Sequence, residues 1–137
     1  MKKILIMTHS LMAKGIKETI EFLAGEQNID VACCFTDISN PDEFIDNYLS
    51  KINNDKLIIF TDLMGGSVNQ KVALRLNNNN FYLITGVNLP LILELALLDE
   101  ELITEEKIEE IIQNAKNEII FVNKALKNNT ESEEDFF

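Results

Sequence analysis

"KLIIFTDLMGGSVNQKVALRL", residues 56–76, decides the fold. Its first seven residues, Lys56 to Asp62, are nearly all apolar up to the closing threonine and aspartate, as expected of a strand buried on both faces. Gly65 and Gly66 break the run, and a helical period follows over 66–76. A doubly buried strand that feeds a helix through a tight turn belongs to a βαβ unit, and such units build parallel sheets.

The same alternation extends in both directions. "KILIMT" (3–8) reads as a first strand, and 10–25 as a helix with Leu11, Ile16, Ile20 and Leu23 at helical spacing and Gly25 as its stop. "IDVACCFTD" (29–37) is the second strand. A helix over 40–52 opens with Asn40 as N-cap, Pro41 at the first position and acids in its first turn. Beyond residue 76, a polar loop and a fourth strand share 77–86. A short apolar helix over 88–99 follows, with Pro90 near its start, and then a helix over 104–116 with Thr104 as N-cap. The run 118–126 fits either a continued helix or a strand. Ile119, Ile120, Phe121 and Val122 are β-formers, so an edge strand is expected.

The expected architecture is therefore three-layer α/β. It has a mainly parallel sheet in the order 2-1-3-4, helices on both faces and a C-terminal antiparallel edge strand. Residues 1–127 make one domain, and 128–137 an acidic, solvated tail.

Composition narrows the function. A net charge of −11, from 12 basic and 23 acidic residues, disfavours nucleic acid and anionic membrane as partners. No apolar run approaches the roughly 20 residues of a membrane span, and "MKKILIM" is too short for a signal sequence, so a cytoplasmic location is expected. Cys33 and Cys34 are adjacent in a strand and face opposite ways, which suits buried thiols rather than a disulfide or a metal site.

In an open parallel sheet of this order, ligands bind where the strand order reverses, at the ends of strands 1 and 3. Those ends carry His9, the only histidine, and "TDLMGGS" (61–67). A histidine that closes a strand can be filler. At this position it gains two neighbours. Asp62 can accept the proton of one ring nitrogen and leave the other as base or nucleophile. Asp37 closes strand 2 with the same "FTD" triplet and is a rival, but it lies away from the switch point. Gly65, Gly66 and Ser67 form a turn at a helix start, suited to an anion. GxxxxGK[ST] is absent, and Asn69 spoils a G-x-S-x-G elbow. A phosphoaspartate receiver would end strand 1 in acids, and this strand ends in "THS". A histidine that accepts a phosphoryl group fits the set best.

"ILIMTHSLMAKGIKETIEFLAG", "IIFTDLMGGSVNQKVA" and "LITGVNLPLILELAL" resemble the enzyme IIA component of the mannose-type (mannose/fructose/sorbose) sugar phosphotransferase system, over residues 3 to about 125. The resemblance implies a cytoplasmic phosphocarrier with its phosphohistidine at His9, its partner aspartate at Asp62 and a phosphate-facing serine at Ser67. It implies HPr as donor, enzyme IIB as acceptor, and sugar entry through membrane IIC and IID components. It also implies a homodimer that exchanges a C-terminal antiparallel strand. Enzyme IIB is expected on a separate polypeptide. No cofactor or metal is expected, because phospho-HPr supplies the phosphoryl group. Val68 and Asn69 depart from the family's usual proline and phenylalanine, and Ser10 stands where many members have glycine. The alternatives are the phosphotransfer subunit of a dihydroxyacetone kinase system and a flavodoxin-like sensor of phosphorylated metabolites. An exposed apolar rim of Leu11, Met12, Met64 and Leu89 is expected to dock HPr.

Overall fold

In the computed structural model, which describes residues 1–53 and 55–128, strands and helices alternate through most of the chain. The order is β1 (Lys2–His9), α1 (Met12–Ala24), β2 (Ile29–Cys34), α2 (Pro41–Lys51), β3 (Lys56–Thr61), α3 (Ser67–Ala73), β4 (Tyr82–Ile84), α4 (Leu89–Leu97), α5 (Glu105–Lys116) and α6 (Val122–Asn128). A single 3₁₀ turn, Glu100–Leu102, joins α4 to α5. The sheet runs β2-β1-β3-β4 and is parallel throughout, as expected.

The unbroken apolar strands follow from the two cores they serve. Ile4, Ile6, Ile58 and Phe60 point to one face, where Ala13 and Ile20 of α1, Leu91, Ile92 and Leu95 of α4, and Ile108 and Ile111 of α5 cover them. Leu5, Met7, Leu57 and Ile59 point to the other face, under Ile45 of α2 and Val68 and Val72 of α3. Each such side chain contributes about 1.5–3 kcal/mol by leaving water. The adjacent cysteines divide the same way, Cys33 into the first core and Cys34 into the second. On α1, the spacing overstates burial: Leu11 and Leu23 are exposed, whereas Ala13 and Ile20 carry the contact.

Three helix starts are capped by side chains, two of them, Asn40 and Thr104, as expected. The Asn40 side chain accepts from the Glu43 amide at 3.2 Å, Asn88 from Leu91 at 3.1 Å and Thr104 from Lys107 at 3.1 Å. Such caps are worth about 1 kcal/mol each. At the far end of α4, the Lys2 ammonium donates to the carbonyls of Leu95, Ala96 and Leu98 and ties that helix to the start of β1. Among the described residues, no helix is long and apolar enough to cross a membrane.

One expectation is corrected. Residues 118–124 form no antiparallel edge strand within this chain. Asn117 and Glu118 make a turn, 119–121 are irregular, and α6 begins at Val122. The amides of Glu118 and Ile119 are already taken by the carbonyls of Ala115 and Lys116. An edge strand also needs a ladder partner, and the outer strand β4 is only three residues long. The expected acidic tail lies almost wholly outside the described residues.

Candidate functional site

The strand ends assemble the site. Met7 pairs with Thr61 across β1 and β3, which brings Asp62, the first residue past β3, level with the end of β1. Asp62 Oδ2 accepts from the His9 amide at 2.8 Å and bonds the His9 ring Nδ1 at 2.8 Å. Its other oxygen accepts from the Leu63 amide at 3.1 Å. The carboxylate is 8% exposed and the imidazole 39%. Burial pushes the Asp62 carboxyl up, but the His9 amide and ring outweigh it and hold the group below the usual carboxylate range. An ionised carboxylate only accepts, so the ring proton belongs on Nδ1 and Nε2 carries the free lone pair.

Nε2 faces Ser67 Oγ at 3.2 Å. Ser67 opens α3, yet its hydroxyl does not cap that helix; Gly66 is the N-cap and makes no side-chain bond. Gly65 has φ +76°, a conformation that favours glycine. Gly66 is needed for space. A Cβ there would stand 3.2 Å from Leu63 Cγ, 3.3 Å from Leu63 O and 3.4 Å from His9 Cε1. The Gly66 amide already donates to the Leu63 carbonyl at 3.2 Å, so it is engaged within the turn.

The surrounding residues set this frame. The fully buried Thr8 accepts from the Ala13 amide at 2.9 Å and fixes the turn into α1. Ser10 takes φ +53°, in the left-handed region, and its amide donates to Cys34 O at 2.9 Å. Beneath the glycine turn, Val68 packs into the second core. Asn69 Oδ1 accepts from the buried Thr61 hydroxyl at 2.9 Å. Both residues therefore support the turn from below. Burial, with help from the Asp62 charge, pushes the Cys34 thiol up to about 11, so it stays protonated beside the site.

His9, Asp62 and Ser67 are brought together, with Gly65 and Gly66 forming the turn. Asp37 is not. β2 ends at Cys34, and the amides of Thr36, Asp37 and Ile38 fold back on Cys33 O. Of the expected apolar rim, Leu11, Met12 and Met64 are exposed, but Leu89 packs against the core. Phe35 was not expected here. Its ring centroid lies 5.7 Å from that of His9, and no glycine or motif marks the position in the sequence.

Comparisons with known proteins identify the family and the fold. The profile of the family described as PTS system fructose IIA component matches residues 3–132. A Klebsiella pneumoniae protein described as a phosphoenolpyruvate-dependent sugar phosphotransferase system permease superposes with a TM-score of 0.84 at 29% identity, over 91% of this chain and 93% of its own. The PTS IIA protein associated with the fucose utilization operon of Streptococcus pneumoniae gives 0.78 at 28% identity, over 91% and 96%. The mannose/sorbose specific IIA subunit from Enterococcus faecalis shares the fold, with a TM-score of 0.72 at 19% identity, over 88% and 94%. A search of curated protein sequences finds no match.

Proposed function

Since the chain belongs to the family of the PTS system fructose IIA component, we propose that it takes a phosphoryl group from phospho-HPr onto His9 and passes it to an enzyme IIB component for sugar uptake. The observation that carries this reading is the double grip of Asp62 Oδ2 on the amide and ring of His9, both at 2.8 Å. It leaves Nε2 as the nucleophile.

Nε2 attacks phosphorus in line, and the donor's P–N bond breaks with its electron pair returning to the donor histidine. Positive charge builds on the His9 ring, and the ionised Asp62 stabilises it through the Nδ1 proton. Ser67 binds the transferring oxygens with its hydroxyl, while the Gly65–Gly66 turn, its Gly66 amide spent on Leu63, lets them approach the backbone closely. Transfer to enzyme IIB repeats the step with His9 as leaving group. Both donor and product are phosphoramidates, so the reaction asks for no metal or cofactor. The HPr and enzyme IIB surfaces meet an open rim, where Leu11, Met12, Leu63 and Met64 are exposed around His9.

The same reading places the protein in the cytoplasm as a homodimer. A groove of about 350 Å³ runs beside β4, lined by Leu76, Phe81, Tyr82, Ile84, Ile108 and Ile112 among others. Among the exposed apolar residues, we assign Ile119, Ile120 and Phe121 to its counterpart in a second copy.

Incubation with enzyme I, HPr and phosphoenolpyruvate should place acid-labile phosphate on the wild type and none on His9→Ala. An unlabelled wild type, or equal label on His9→Ala, overturns the carrier reading. Gly66→Ala should fold, since the crowding falls on Leu63 and one ring edge. Labelling should slow by roughly tenfold, because the added methyl crowds Leu63 at 3.2 and 3.3 Å and the turn must shift beside the His9 ring, whose edge it already meets at 3.4 Å. Wild-type labelling kinetics in Gly66→Ala would show that the close approach of Gly66 to the ring is immaterial.

A further inference from the structure

The His9 ring is held in its own plane at two atoms, Nδ1 by Asp62 and Nε2 by Ser67. Phosphorylation of Nε2 removes the second of these, because the lone pair then belongs to phosphorus. The phosphorylated ring keeps one hydrogen bond of its own, at Nδ1, and its outer end is then held only indirectly, through the phosphoryl oxygens on Ser67. The structure supplies one more restraint. The Phe35 ring lies beside the imidazole with centroids 5.7 Å apart and planes inclined by 31°, within the range of offset aromatic pairs.

Phe35 is an unusual residue for its place. Its φ is +66°, where bulky side chains are rarely found, and it is 57% exposed, so core burial does not offset the strain. The backbone is forced there by its neighbours. The Phe35 amide donates to Ile38 O at 2.7 Å, and the amides of Thr36, Asp37 and Ile38 converge on Cys33 O. Strain kept at an exposed aromatic against the reactive side chain points to use.

We propose that Phe35 is a positioning residue for phospho-His9, holding the plane of the ring and restricting water around the P–N bond. This rests on the carrier reading. The reaction it suppresses is hydrolysis: a water oxygen bonds to phosphorus, the P–N electron pair returns to Nε2, and both water hydrogens leave on the released phosphate.

The test uses the full chain, labelled through enzyme I and HPr and then separated from both, so that docking plays no part. Phe35→Gly and Phe35→Ala should lose phosphate roughly fivefold or more faster than wild type. Phe35→Tyr, which keeps an aromatic ring, should restore the lifetime. Phe35→Gly should melt no lower than wild type, because glycine relieves the positive φ. In the phosphorylated protein, the His9 side-chain couplings should report one rotamer in the wild type and an average in Phe35→Gly. A wild-type lifetime in Phe35→Gly, or unaveraged couplings, overturns the assignment while leaving the carrier reading intact. A wild type that takes no label overturns both.

Discussion

Asp62→Asn is expected to leave a folded protein that accepts phosphate from phospho-HPr on the order of 10²- to 10⁴-fold more slowly. The argument is one of donors and acceptors. Asp62 meets three N–H groups, two on Oδ2 and one on Oδ1. An asparagine amide turned one way sets its NH₂ against the Leu63 N–H. Turned the other way, it sets NH₂ against the His9 amide and donates to Nδ1. The second arrangement moves the ring proton to Nε2 and removes the nucleophile. The first keeps the tautomer but takes away the negative charge that stabilises the developing imidazolium. Quenched-flow labelling would measure the rate, and ¹⁵N shifts of the His9 ring would identify the tautomer. An Asp62→Asn variant that transfers at the wild-type rate removes Asp62 from the mechanism.

Phe60→Ala should cost about 3–5 kcal/mol of folding stability, the largest loss expected from one substitution in the sheet. Phe60 is fully buried, sits in β3 between Ile6 and Ile84, and faces the core beneath α1, α4 and α5. Its strand partners are held by backbone bonds and cannot collapse into the space. Urea unfolding should show a lower midpoint with an unchanged slope. A loss under about 1 kcal/mol would mean that the helices close over the cavity. Phe60 lies two residues before Asp62, so a partial loss of labelling alongside the stability change would show how far the site depends on packing below it.

Much of this was legible because the local signals agreed. Residues 57–60 are apolar without interruption, and the strand they form is buried on both faces. The glycine pair marked the turn that crosses from β3 to α3, and the expected strand order put His9 and Asp62 at one rim. The "FTD" triplets show where sequence stops being enough. Asp37 and Asp62 follow the same two residues, yet Thr61 ends a strand, whereas Thr36 already lies in a turn folded onto Cys33 O. Phe35 and Ser10 were opaque for a related reason: each adopts a positive φ without being glycine, under constraints from residues that tertiary structure brings near. Ser10 does show why glycine is common there in the resembled family. Residues 119–122 are β-formers that make no strand within this chain, because β-propensity describes a side chain's fit to a sheet and the chain offers them no ladder partner of its own.

The hydrogen bond between His9 and Asp62 joins residues 53 apart, from strands that are neighbours in space but separated in the chain by β2. During synthesis, β1 and β2 leave the ribosome first and can pair while β3 is still being made. Until β3 arrives, β1 presents a bare apolar edge, and the histidine at its tip has no carboxylate to hold its proton. Chemical competence thus appears only with the second half of the sheet. A nascent or truncated chain that stops short of residue 62 carries the acceptor histidine without the group that orients it.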